Sequence, residues 1–309
     1  MTVNKSGQHL LLSGLDGSNP LGFLAAIGTL VVLNKTFPEI CLGWESTDNG
    51  WRPLLKNCCE DKNDFSEKLL AALRNAPMTV FNIDKRMPFE ITKFSHALRE
   101  AQHSSSMQER RDADLLCAFG TDLYPNEKSQ QFQDSSFRMV RSGDSAGQGL
   151  PLYVKDSRKK INLDHIQRTL FHTWDYLDKG YSLRWDPIED QRYALRWRDP
   201  SKSDDLGTMW AANNLAAEAL QLFPSLLVGK KIQTTGFQRL GRREIYFIWP
   251  IWTPMVKVDS LRSLLALSDI HKEQLQSSSL SRRGIEEVYR SRRIAQNQYY
   301  SNFLPAQPL

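Results

Sequence analysis

The stretch Ser18–Leu33, SNPLGFLAAIGTLVVL, decides what kind of chain this is. Ser18 or Asn19 offers a side-chain oxygen to the free amides of a first turn, and Pro20 stands where a missing N–H costs nothing, so a helix starts here. Leu21, Leu24, Ile27 or Gly28, and Val31 recur at helical spacing, while Gly22, Ala25, Ala26 and Gly28 leave room for another backbone to come close. The apolar run Pro20–Leu33 is 14 residues long, short of the ~20 that a membrane span needs. It predicts a core helix of a folded domain and no membrane association.

Just upstream, HLLL reads as a short strand. The first residues, MTVNKSGQ, show no charged stub, apolar stretch and cleavage site in order, which predicts a cytoplasmic protein. GLDG before the helix lacks the glycine spacings that wrap amides around a phosphate. Cys41, Cys58, Cys59 and Cys117 sit at no metal-ligand spacing and suggest neither zinc nor a disulfide framework. With 309 residues, 40% apolar and 24% charged, the chain has the composition of one large or two smaller globular domains.

Downstream, the periodicity predicts helices over 61–76, 92–119, 162–178, 205–223, 259–268 and 282–298, and strands over 78–83, 231–237 and 243–250. The polar, Gly- and Ser-rich run 124–150 reads as a long, partly mobile loop. The fold class is therefore α+β, mixed helices and antiparallel strands in two lobes: an N-terminal α/β lobe over 1–123 and an Arg-rich α+β lobe over 151–309.

YSLRW at 181–185 returns as YALRW at 193–197. As two strands of a hairpin, each would set Tyr, Leu and Trp on one face and arginine on the other, so Arg184, Arg196 and Arg198 become candidate phosphate contacts. The charge of the whole chain, +5, comes entirely from residues 181–309, where Lys and Arg number 18 against 13 acids. Lys230, Lys231, Arg242, Arg243, Arg282, Arg283, Arg290, Arg292 and Arg293 extend the candidate nucleic-acid-binding set. The last of these accompany Tyr289 and the aromatic tail Tyr299, Tyr300 and Phe303, as suits a backbone with stacked bases.

Enzymatic signals are weaker. GDSAG at 143–147 matches a serine nucleophile elbow, but Gly147, Gly149 and Pro151 follow where a helix must start. Ser145 is then a hydrolase candidate only as the alternative reading, and Arg138, Arg141 and Ser145 form a candidate contact loop. His96 and His103, like His165 and His172, are two helical turns apart, too far for one metal. The sequence marks no cofactor, metal or catalytic residue.

GLDGSNPLGFLAAIGTL resembles the N-terminal signature of compact subunits of CRISPR-associated effector complexes, the type I-G (formerly I-U) group in particular. RWDPIEDQRYALRWRDPS and GIEEVYRSRRIAQNQYYSNF are similar to further blocks of such proteins. The resemblance implies a non-catalytic subunit of an RNA-guided surveillance ribonucleoprotein acting in antiviral defence. Its partners would be guide RNA, target DNA or both, together with other subunits of the complex. A scaffold without nucleic-acid contact is the other alternative.

Overall fold

Asn19, not Ser18, caps the first long helix of the computed structural model: its Oδ1 accepts from the amides of Leu21 and Gly22 at 2.8 and 3.2 Å. The structure describes residues 9–84, 87–105, 109–123, 132–139, 149–189, 207–241, 244–272, 274–295 and 301–309. In chain order these form β1 (His9–Leu11), α1 (Pro20–Leu33), β2 (Cys41–Thr47), β3 (Gly50–Lys56), α2 (Lys62–Asn75), α3 (Ile91–Ser104) and α4 (Arg111–Phe119). Next come β4 (Gly120–Thr121), β5 (Gln133–Asp134), α5 (Leu150–Lys160), α6 (Leu163–Phe171), β6 (Asp178–Lys179), β7 (Gly207–Thr208) and α7 (Trp210–Ala219). The C-terminal part holds β8 (Ser225–Val228), β9 (Lys231–Thr234), β10 (Phe237–Leu240), β11 (Glu244–Trp252), α8 (Val258–Leu265), α9 (Ser277–Ser281), β12 (Ile285–Ala295), β13 (Ser301–Phe303) and β14 (Gln307–Pro308). The class is α+β with antiparallel sheets.

Nearly every residue of α1 is buried, because it lies where everything else meets. A Cβ on Gly28 would fall 1.8 Å from the Leu215 carbonyl oxygen, so the small residue allows α7 to cross in backbone contact. On the other side Phe23 stacks on Trp44 of the β1–β3–β2 sheet at 5.8 Å and meets Trp249 and Trp252 of β11 at 5.7 and 6.3 Å. β11 is central to the larger sheet, ordered β10–β11–β12–β13 with β14 on the free part of β12. One apolar core thus runs from Leu10 to Phe303 and takes residues from both sides of the 124–150 run.

Inside this core α4, α5 and α7 share an ion network. Glu218, 1% exposed, receives Arg111 and Arg158, each at 2.7 Å. Arg158 Nε also donates to Asn214 Oδ1 at 3.0 Å, and Asn214 donates to the Ser157 hydroxyl at 2.7 Å. Burial works to raise the Glu218 carboxyl, but the two guanidiniums outweigh it and hold the group below its ordinary value, as a carboxylate.

Several local expectations are corrected. The helix expected over 282–298 is the strand β12, in register with β11 from Ile285 opposite Trp252 to Arg293 opposite Ile245. Helical Arg283–Glu287 pairing is worth only ~0.2–0.5 kcal/mol, whereas pairing with β11 fills a ladder and buries Ile285, Val288 and Ser291. Residues 78–83 contain a 3-10 turn, Val80–Asn82, in place of a strand, since Val80 and Phe81 are both buried and cannot alternate. The helix over 92–119 is two, α3 and α4, and α6 ends at Phe171.

YSLRW is not a strand, because Tyr181 and Arg184 both hold left-handed backbone, with φ of 60°. Leu183 and Trp185 are nevertheless buried, and Trp185 Nε1 donates to the Phe137 carbonyl at 2.9 Å. The second copy lies outside the described residues. Phe132, Phe137 and Met139, within the run read as a mobile loop, are core residues; Phe137 packs edge-on against Trp185, Phe223, Phe237 and Phe247. No helix among the described residues is long and apolar enough to cross a membrane.

Candidate nucleic-acid interface

In an antiparallel ladder, residues directly opposite share a face. Tyr246 faces Arg292 and Ile248 faces Arg290, so these two arginines share the side of the sheet away from the main core, where Ile248 and Val288 bury a second apolar cluster with Ile270 and Leu280, while Ser291 and Arg293 turn toward the main core. The Arg290 guanidinium lies over the Tyr246 ring at 5.5 Å, and Arg292 pairs with Glu244 at 3.1 Å. Arg293 donates to the Arg138 carbonyl at 3.0 Å, and Arg283 pairs with Asp269 at 2.7 Å. The side chains read from sequence as one helical basic patch are thus dispersed over two faces, and most are already engaged.

The other candidates divide in the same way. Arg138 is buried, pairs with Asp134 at 2.6 Å and donates to the Met87 carbonyl, so it is a core residue and not part of a contact loop. Arg184 Nη1 reaches the Asn302 Oδ1 at 3.4 Å. Arg282 is exposed and has no acidic partner among the described residues. Arg141, Ser145, Arg196, Arg198, Arg242 and Arg243 lie outside the described residues. Among the described residues no group of three or more His, Cys, Asp or Glu could hold a metal.

Lys230 and Lys231 differ. They sit at the end of the β8–β9 hairpin, whose two-residue turn Gly229–Lys230 uses the left-handed φ of 64° that glycine adopts freely. The ribbon is clamped at both its turn and its base. Gln133 donates to the Lys230 carbonyl at 3.2 Å and accepts from the Ile232 amide at 3.1 Å, while Thr234 Oγ1 lies 3.0 Å from Ser225 Oγ and accepts from the Ser136 amide at 3.0 Å. On its outer face Leu226 and Val228 are 63% and 59% exposed. Between the hairpin and β10 runs a groove of about 310 Å³, with Lys231 and Arg239 among its walls, Gln233 and Gln238 beside them, and Ile232 and Ile245 as apolar surface. None of its lining residues is acidic, and no carboxylate among the described residues pairs with Lys230, Lys231 or Arg239. Such a groove can hold phosphates on ammonium and guanidinium groups and offer amides and apolar surface to sugars and bases.

Residues from the three stretches that carry the family resemblance meet elsewhere, around the cap of α1. Asn19 Nδ2 donates to Asp186 Oδ1 at 2.9 Å, and Tyr176 donates to Asp186 Oδ2 at 2.9 Å. Trp249 Nε1 donates to the Gly17 carbonyl at 2.8 Å, and Gly17 in turn donates to the Trp51 carbonyl at 2.9 Å. Trp51 Nε1 and the Tyr289 hydroxyl both donate to Glu287, at 2.6 and 2.8 Å. Burial, and the Glu287 carboxylate it donates to, push the Tyr289 phenol up. This junction is a set of satisfied polar groups that fixes three chain segments together, and it offers no free nucleophile. Reading the sequence missed Trp51 and Glu287, whose pairing spans distant positions, and Arg239, which shares a face with the apolar Phe237 on an edge strand and has no charged neighbour to mark it.

No family model matches the chain, and no curated protein and no solved structure shows significant similarity to it.

Proposed function

We propose that the chain is a non-catalytic subunit of a CRISPR-type RNA-guided surveillance complex that holds nucleic-acid backbone in the groove beneath the β8–β9 hairpin. The observation that carries the nucleic-acid part is the acid-free groove, with Lys231 and Arg239 on its walls and Lys230 at the hairpin tip. Cations that no carboxylate among the described residues pairs with can neutralise phosphates and release condensed counterions, which supplies most of the sequence-independent affinity of such proteins. The sequence resemblance supports the remainder: guide RNA, target DNA or both as ligand, other subunits of the complex as partners, and work in the cytoplasm where the complex would assemble.

Acetylation of lysines by a water-soluble ester, with and without a mixed-sequence duplex or single strand, tests the contact by mass spectrometry. Lys230 and Lys231 should be protected by nucleic acid, while exposed Lys35, far along the chain in a surface pair with Glu109, should not. Equal labelling of Lys230 and Lys231 in both states rejects the groove as the contact and favours a protein-interaction scaffold. A hydrolase using Ser145 remains the alternative of another class, and stoichiometric labelling of Ser145 by a fluorophosphonate would establish it in place of the binding role.

A further inference from the structure

Away from the hairpin, the end of α5, α6 and the start of α7 surround an open basin of about 500 Å³. Its walls carry two aromatic rings and two ammonium groups. Tyr181 meets Trp210 edge to face at 6.0 Å, and His165 stacks on Trp210 at 5.3 Å. The Lys160 ammonium lies over both Tyr181 and Trp210, at 4.5 and 5.1 Å, and donates to the Tyr181 hydroxyl at 3.2 Å. Lys179 is exposed at the rim.

The one carboxylate of the basin does not neutralise these lysines. Asp178 is buried and accepts from Arg168 at 3.2 Å and from the Trp210 amide at 2.7 Å, with His165 Nε2 at 3.4 Å. Neither Lys160 nor Lys179 has an acidic partner among the described residues. The ring positions are imposed by the backbone: Tyr176 and Tyr181 hold left-handed φ of 54° and 60° around Gly180 at 70°, and Trp210 Nε1 donates to the Gly180 carbonyl at 3.2 Å. Non-glycine residues keep that conformation only where their surroundings fix it, and such residues gather at ligand clamps.

We propose that this basin takes one unpaired nucleotide of a nucleic-acid strand, its base against the Tyr181–Trp210 corner and its phosphate on Lys160 and Lys179. The inference rests on the nucleic-acid reading above only in sharing its ligand, and it adds a base-stacking contact to a backbone contact. Rings with adjacent cations and no free acid select a ligand that is flat at one end and anionic at the other. A simple anion would leave the rings unused. For the base to enter, the Lys160 ammonium, on its exposed flexible stem, swings from the rings to the phosphate. A methylated ammonium, the other usual guest of an aromatic corner, would meet the like charges of Lys160 and Lys179 and pair with neither.

A ten-residue oligothymidylate carrying one 5-iodouracil, irradiated with the full chain, should crosslink to Tyr181 or Trp210. The same strand should bind more tightly than an abasic strand of equal length by about 5- to 150-fold, the range of one base stacked on an aromatic ring. Tyr181→Ala should remove most of that ratio. Lys179→Gln, at an exposed rim position with no ring contact among the described residues, should weaken both strands and leave the ratio. Adducts confined to other segments overturn the proposal, as does an unchanged ratio in Tyr181→Ala that retains the wild-type circular dichroism. So does absence of strand binding at low salt, equal affinity for free thymidine monophosphate, or displacement by a trimethyllysine peptide. Failure of the hairpin contact reads out separately, as a salt dependence that Lys230→Gln and Lys231→Gln leave intact while the base ratio persists.

Discussion

Arg158 and Lys231 carry the same formal charge, and the molecule uses them in opposite ways. Arg158 is buried in the core with Glu218, Arg111 and Asn214, so that its guanidinium fixes how α4, α5 and α7 pack. Lys231 stands on a two-stranded ribbon beside a groove without acids, and no residue described around it uses its charge. A cation's meaning lies in what already surrounds it. Charge spent internally contributes geometry, and charge left over is what a partner can meet.

The contrast can be broken first at the core. Glu218→Gln leaves two buried guanidiniums without their carboxylate and should cost about 3–5 kcal/mol, as removal of one member of a buried ion pair does. Chemical denaturation reads this directly, and a loss below ~1 kcal/mol would mean that the network is hydrated or loosely held. Trp185→Ala belongs to the same class, at about 3–5 kcal/mol, because the indole is buried against Phe137 and bonded to its carbonyl. Full stability without nucleic-acid binding would instead make it a stacking residue. Gly28→Ala should cost about 1–3 kcal/mol, since its Cβ would meet the Leu215 carbonyl; unchanged thermal unfolding would show that α1 and α7 separate easily.

The pH dependence sharpens the core side further. The Glu218 carboxyl is depressed in the folded chain relative to the unfolded one, whose ordinary value is near 4.5. Between those two values the unfolded state binds the extra proton, so its contribution is complete above the ordinary value and is lost as pH falls below it. Thermal unfolding from about pH 6 to pH 3 should therefore fall more steeply for the wild type than for Glu218→Gln. Parallel curves would assign the acid sensitivity to other carboxylates, such as Asp175 beside Arg168. On the hairpin the effect on stability should be smallest of all: Lys230→Gln and Lys231→Gln are exposed changes, expected within about 0.5 kcal/mol of wild type.

What could be read from the sequence follows the same division between local and distant causes. The helix α1 announces itself through Asn19, Pro20 and a continuous apolar run, all within one segment. β12 does not. Its Ile285, Val288 and Tyr289 fit either element, and the partner that decides, β11, lies some forty residues earlier. The YSLRW segment placed Leu183 and Trp185 correctly in the core, yet the left-handed turns at Tyr181 and Arg184 have no mark in residue type, since nothing there is glycine or asparagine. The candidate site was legible only as a list of cations. Which of them were free depended on Glu244, Asp269 and Tyr246, brought near by pairing that the local pattern does not contain.

The most direct test sets two triple variants side by side in one binding assay across a salt series: Lys230→Gln/Lys231→Gln/Arg239→Gln against Arg290→Gln/Arg292→Gln/Arg293→Gln. Removing one neutralised phosphate flattens the log–log salt slope by about 0.9 on duplex and about 0.7 on single strands. The hairpin variant should show a slope reduced by about two to three units while its unfolding is unchanged. The β12 variant should keep the wild-type slope within about half a unit and be less stable, because its arginines are bound to Tyr246, Glu244 and the Arg138 carbonyl. A flattened slope in the β12 variant with an intact slope in the hairpin variant would contradict the account and place the contact on β12.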